Sequence, residues 1–247
     1  MGTTHARYTQ IANDLRDQIT SGQLQPGAPL PSQRHLAETY KASGMTVRQA
    51  LDVLTTEGLI TTRHGDGARV RDYRRIRSDR TRQPPADHET GTSVRAADTA
   101  GRNLQAGIIS VERTTAPPHV SVLLDVPTGA EVIRRSSSLA IDDRPALAVT
   151  SWLPADITAG TPVEQDDPGP GGVYARLAEL GHAPAVFREE VTARQPRHGE
   201  TLQLLPGTPV LAIIRTAATH AGRIVEVTET LVDAASVTLS YSWPTEH

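Results

Sequence analysis

Between Tyr8 and Val70 the spacing of apolar residues changes from helical to strand-like, and glycine or proline stands at each change. Ile11, Ala12, Leu15 and Ile19 recur at helical intervals and predict a helix from Tyr8 to Ser21, ended by Gly22. Pro26-Gly27 and Pro29-Leu30-Pro31 form a stretch that no helix crosses. Ser32 is placed to cap a short second helix through Tyr40, which Ala42-Ser43-Gly44 breaks. Ser43 or Thr46 then caps a third helix, with Val47, Ala50, Leu51 and Leu54 on one side. After Gly58, Leu59–Thr62 and Ala68–Val70 read as two short strands around a glycine-rich turn, Arg63-His64-Gly65-Asp66-Gly67.

A helix, a turned pair of helices and a hairpin occur in the order of a winged helix-turn-helix. The third helix suits the ~12 Å wide major groove of duplex DNA. The hairpin offers Arg63, Gly65, Gly67 and Arg69 to a neighbouring groove or phosphate, its glycines permitting close backbone approach. Charge supports this reading. Residues 1–82 hold 13 Arg and Lys against 8 Asp and Glu, whereas the rest holds 12 against 20. A basic first part on an acidic remainder suits a polyanionic partner.

The string from Tyr8 to Val70 resembles the DNA-binding domain of the GntR family of bacterial regulators. The resemblance rests on "PG..LPS", on "S..TVR.AL..L..EGLI" and on "G.G..V". It implies DNA contacts at Ser32, Arg34, Ser43, Thr46, Arg48 and Gly67. The sequence departs from the family pattern at Gly44, where arginine is usual, and at Arg69, where an aromatic is common. The competing structural readings are a pair of Arg34 with Glu38, a pair of Arg48 with Asp52, and a purely capping Thr46.

Residues 1–74 are thus expected to form the DNA-binding domain. Residues 75–92, Arg-rich and then carrying Pro84-Pro85, are expected to form an extended linker before a domain at 93–247. In that last part "GIISVERT", "HVSVLL", "AVFREEVTARQP" and the two halves of "EVIRRSSSLAIDDRPALAVTSWLP" read as strands, the last pair turning at Asp142-Asp143. "VYARLAELG" reads as a short helix, "GETLQLLP" as a short helix or turn, and the chain from Val210 as a hairpin about His220-Ala221-Gly222 with a final strand. Strands joined mostly by hairpins, with few helices, predict an α+β domain on an antiparallel sheet.

This second part resembles the UTRA ligand-binding domain of the HutC-type branch of the same family, through "LLDVPTGAEV", "DDRPALAVTSWLP", "EEVTARQP", "LLPGTPVLAIIRTA" and "GRIVEV". The resemblance implies a chorismate-lyase-like fold, a homodimer, and a pocket for a small-molecule effector near Arg135, Ser137, Ser151, Glu190, Arg194, Arg215 and Glu226. Arg135-Ser136-Ser137 stands where many members carry Arg-x-Arg, and Leu231-Val232 where many carry Tyr-Arg. These departures point away from a phosphorylated sugar. Ser137, Glu190 and Glu226 would suit a neutral or partly cationic ligand. The alternative for Arg135, Arg194 and Arg215 is structural pairing with Glu190 or Glu226.

The chain contains no cysteine, which excludes disulfides and thiolate metal sites. Its nine histidines are nowhere closer than 16 residues, so no metal is expected. No cofactor is expected either: the one lysine, Lys41, which a Schiff base would need, lies in the DNA-binding part. The function expected is a sequence-specific repressor on a palindromic double-stranded operator, cytoplasmic and nucleoid-associated, with no membrane partner. The alternatives are a ligand-independent plasmid- or phage-type repressor and an enzyme of chorismate-lyase-like fold.

Overall fold

The computed structural model describes residues 3–63, 67–71, 76–79, 103–107, 109–141, 144–197, 199, 200, 202, 204 and 208–242. The chain divides into two compact units: Met1–Arg74 with Leu204–Thr208, and Arg75–Gln203 with Pro209–His247.

In the first unit α1 (Thr3–Thr20), α2 (Gln33–Thr39) and α3 (Gly44–Thr56) precede an antiparallel hairpin of β1 (Ile60–Arg63) and β2 (Gly67–Val70). Ile11, Ala12 and Leu15 of α1, Leu36 of α2, and Val47, Ala50, Leu51 and Leu54 of α3 are all buried in one cluster, which Leu30, Ile60 and Val70 complete. The Pro26–Pro31 stretch lies along β2: the Leu30 N–H donates to the Ala68 carbonyl at 2.8 Å, and the Val70 N–H to that of Ala28 at 2.8 Å. Arg16 of α1 donates to both carboxylate oxygens of Glu57, at 2.9 and 2.6 Å, and so ties the first helix to the end of the third.

The second unit is built on a seven-stranded antiparallel sheet. Its strands are β4 (Leu104–Ala106), β5 (Ser110–Thr115), β6 (Glu131–Ile141), β7 (Arg144–Pro154), β8 (Val186–Arg194), β9 (Val210–Ala218) and β10 (Ile224–Asp233). The order is β4-β6-β7-β10-β9-β8, and β5 pairs with β6 beside β4. Three short helices, α4 (Pro118–Leu124), α5 (Ala155–Thr158) and α6 (Gly172–Glu179), and a 3-10 turn at Pro162–Glu164 complete it. One sheet face buries Ile133, Leu153 and Ala217 against Val173 and Leu177 of α6. Trp152, Val132 and Val227 pack instead with Val120 and Leu124 of α4.

Two expectations are corrected. "HVSVLL" is a helix, α4, and not a strand. Its alternation resembles a strand, but Pro118 presets the first turn, and Val120 and Leu124, four apart, are the buried pair while Val122 is 80% exposed. Within the expected linker, Ile76–Asp79 forms β3, which pairs in parallel with β11 (Val237–Ser240). An extended backbone becomes a strand where another chain segment offers the hydrogen bonds. Residues 80–92 of that linker, the turns at His64–Asp66 and Asp142-Asp143, and most of "GETLQLLP" lie outside the described residues.

Candidate nucleic-acid interface and ligand cavity

The two helices expected at DNA are each started by a serine. Ser32 Oγ accepts the His35 N–H at 3.2 Å, and Ser43 Oγ accepts that of Thr46 at 3.2 Å. Acceptance uses a lone pair, so the exposed Ser32 hydroxyl keeps its proton to give to a phosphate oxygen. Ser43 Oγ and Thr46 Oγ1 bond each other at 2.8 Å, and Thr46 is 5% exposed. Thr46 therefore reinforces the cap from inside the fold.

Helix α3 has two faces. Thr46, Val47, Ala50, Leu51 and Leu54 are buried, while Met45, Arg48, Gln49 and Asp52 form an exposed stripe. Among the ion pairs of the described residues there is none between Arg48 and Asp52. Arg34 does pair with Glu38, at 3.0 Å, but the side chains are 90% and 62% exposed, and such a pair contributes only ~0–1 kcal/mol. It can be exchanged for a phosphate. On the hairpin, Arg63 stands opposite Gly67, whose φ of 78° is a conformation that glycine alone adopts readily. Arg69 turns back and donates to the Gly27 carbonyl at 3.4 Å, which makes it an anchor of the Pro26–Pro31 stretch. Gly65 lies outside the described residues. Reading by residue type passed over Met45 and Gln49. The helical period that placed Val47, Ala50 and Leu51 inside puts both of them outside.

In the second unit a polar row crosses the sheet between two apolar clusters. Arg135 is opposite Ser151, Ser151 opposite Thr228, Thr228 opposite Arg215, and Arg215 opposite Glu189. Leu139, Leu147 and Ile213 are buried to one side of the row, and Ile133, Leu153 and Ala217 to the other. Beside it lies a cavity of about 20 Å³, lined by Arg135, Ser136, Ser137, Ser151, Tyr174 and Glu226, with Ile109, Val149 and Val173. That is room for roughly one water molecule.

The polar groups at this cavity are already bonded to one another or to the backbone. Arg135, 5% exposed, donates to the carbonyls of Val163 (2.6 Å), Gln165 (2.5 Å) and Asp166 (2.9 Å). It thereby holds the segment between the 3-10 turn and α6, and Arg176 of α6 donates to the carbonyls of Pro168 and Pro170. Tyr174 gives its hydroxyl proton to Glu226, which is 6% exposed. Arg215 donates twice to Glu189 Oε1, at 2.8 and 2.6 Å, and Tyr241 reaches the other carboxylate oxygen at 3.2 Å.

Burial first, and then the Glu226 charge, push the Tyr174 hydroxyl well above the usual range, against a smaller opposing effect of Arg215. A raised native value means that the folded state holds this proton more tightly than the unfolded chain. The resulting stabilisation is complete below about pH 10, where an unfolded tyrosine is still protonated, and is lost as pH rises beyond it. Tyr174→Phe should flatten the fall in stability above about pH 10 in denaturant titrations. An unchanged alkaline slope would show that this proton is not held.

Four of the seven expected ligand residues, Arg135, Ser137, Ser151 and Glu226, line the cavity, and Arg215 belongs to the row beside it. Two do not. Glu190 points to the other side of β8, where it pairs with Arg188 at 2.7 Å with both side chains exposed; Glu189 takes the inward place. Arg194 pairs with Glu200 at 2.5 Å near the end of β8. The sign that could have separated Glu189 from Glu190 is Phe187, the only phenylalanine. It packs inward, and with a period of two it fixes Glu189 on the same face.

A winged helix-turn-helix unit with an open recognition face, joined to a sheet domain with a polar cavity, defines a ligand-sensing class of DNA-binding regulator. The comparisons name the family. The pattern described as bacterial regulatory proteins, gntR family, matches residues 7–70, and the UTRA domain matches residues 99–238. An uncharacterised HTH-type transcriptional regulator of Streptomyces coelicolor is 30% identical, over 89% of this chain and 86% of the relative. The chain belongs to the GntR family, in its UTRA-bearing group, whose members are transcriptional regulators and not enzymes. The HTH-type transcriptional repressor NagR of Bacillus subtilis is 51% identical over 63 residues, 26% of each chain. A crystal structure of a GntR-family transcriptional regulator shares 30% identity at a TM-score of 0.67, covering 97% of this chain and 98% of the other. PhnF of Mycobacterium smegmatis, 24% identical with a TM-score of 0.55, shares the fold.

Proposed function

We propose that this regulator is a repressor that binds a palindromic operator as a homodimer and leaves it when a small molecule enters the Arg135–Glu226 cavity. The domain division read from sequence, residues 1–74 for DNA and 93–247 for the effector, carries over into this reading, as does action in the cytoplasm where DNA is reached. No helix among the described residues is long and apolar enough to cross a membrane. The repressor sense is taken from relatives such as NagR that carry that name.

The observation that carries the ligand reading is the cavity itself: a buried carboxylate and three serine hydroxyls beside a space of about 20 Å³. A metabolite needs more room, and in this reading its binding displaces the segment that Arg135 holds. A ligand that favours the displaced form shifts the protein toward it, by the difference between its affinities for the two forms. The guanidinium groups of Arg135 and Arg215 are engaged by carbonyls and by Glu189, while Glu226 faces the space. This arrangement favours a neutral or cationic ligand over a phosphate ester.

The test is fluorescence anisotropy of the full chain on duplexes selected from a randomised library. Arg48→Ala should weaken the selected duplex by ~1–3 kcal/mol and relax base preference, while non-specific binding at low salt persists. Neutral polyols and small amines should release the duplex, and their phosphate esters should not. Unaltered base preference in Arg48→Ala would remove its reading role, and release by phosphate esters alone would overturn the ligand assignment.

A further inference from the structure

The side chain of Met45 is 82% exposed, the most exposed large apolar side chain among the described residues. It stands in the first turn of α3, on the same stripe as Arg48, three residues on, and Gln49, four residues on. Among the described residues no packing inside the unit accounts for it: the apolar residues that hold α3 in place are Val47, Ala50, Leu51 and Leu54. Gly44, just before it, has no side chain, and the space where its Cβ would stand is open. Met45 is therefore the first side chain that α3 carries outward. A thioether offers neither a proton nor a strong acceptor to a phosphate, so backbone contact alone gives no reason for it.

We infer that Met45 is a specificity-determining residue that reads the 5-methyl group of thymine in the major groove. This inference rests on the reading of α3 as the recognition helix. The methyl is the one apolar feature that a base pair shows in that groove, and only thymine carries it. Met45 and Arg48 are neighbours on one side of the helix. They contact adjacent base pairs, Arg48 with the N7 and O6 acceptors of guanine and Met45 with a thymine beside it. The methionine side chain is flexible and polarizable, which fits it to a small methyl surface.

The experiment removes the methyl alone. Duplexes are selected with the full chain from a randomised library, and each thymine of the best sequence is replaced singly by deoxyuridine. One position per half-site should lose about fourfold in affinity, the worth of one buried methyl group. Met45→Ala should bind the thymine and uracil duplexes equally, and Met45→Leu should restore the difference. Met45 is exposed, so both variants should keep the melting temperature of the parent. If every deoxyuridine duplex binds like its thymine parent, or if Met45→Ala keeps the same methyl dependence, the inference is overturned while α3 remains the recognition helix. If the library yields no enriched sequence at all, that underlying reading fails as well.

Discussion

Leu54→Ala is expected to remove about 2–5 kcal/mol of stability from the DNA-binding unit, the cost of a cavity left by truncating a fully buried leucine. Leu54 is 0% exposed and sits where α3 meets the core formed with Ile11, Leu15 and Ile60. Little of this loss can be recovered by local collapse, because α3 is fixed at both ends. Ser43 caps its start, and Glu57, at its end, is held by Arg16. Residues 1–74 and 204–208 contain no tryptophan, whereas Trp152 is buried in the second unit. Helical circular dichroism weighted toward the first unit, followed beside tryptophan fluorescence in one denaturant titration, thus separates the two. The helical midpoint should fall, and operator affinity at a fixed temperature with it. A change under about 1 kcal/mol would mean that this cluster is not packed at the density of a protein interior.

Arg135→Met should destabilise the second unit by about 3 kcal/mol. Methionine keeps most of the length and apolar stem but removes every N–H, leaving the carbonyls of Val163, Gln165 and Asp166 without this donor. Buried acceptors that lose a charged donor cost ~1–3 kcal/mol each, and neighbouring losses add less than fully. Tryptophan fluorescence should report an earlier transition. The segment from Val163 to Asp166 should also exchange its amide hydrogens faster, since Arg135 no longer holds it. If stability is unchanged and the segment stays protected, water has replaced the guanidinium, and Arg135 is not what keeps the cavity shut.

Most of the first unit was legible in the sequence because its signals are local. Ser32 and Ser43 cap where a hydroxyl precedes a helical period, and Gly22 and Gly58 stop helices in conformations that other residues resist. The fate of Thr46 was not legible: whether a threonine in a first turn faces in or out depends on what packs over it. In the second unit the polar residues at the cavity were found by type and motif, but their partners depend on distant strands. Arg135 is held by carbonyls some thirty residues away, which no spacing announces. Glu189 and Glu190 differ only in strand parity, and "HVSVLL" carries both a strand-like alternation and an i, i+4 pair. In each case the deciding force was packing against a surface assembled from elsewhere in the chain.

The row that runs from Arg135 through Ser151, Thr228 and Arg215 to Glu189 also bears on how the domain reaches its fold. An entirely aliphatic sheet could pair its strands one residue out of step and still bury oil against oil. Here the same slip would carry Arg215 away from Glu189 to the opposite face and strand a charge without its counterion. A sheet paired out of step is penalised by that stranded charge, so the residues beside the cavity also favour the correct alignment of the strands that carry them.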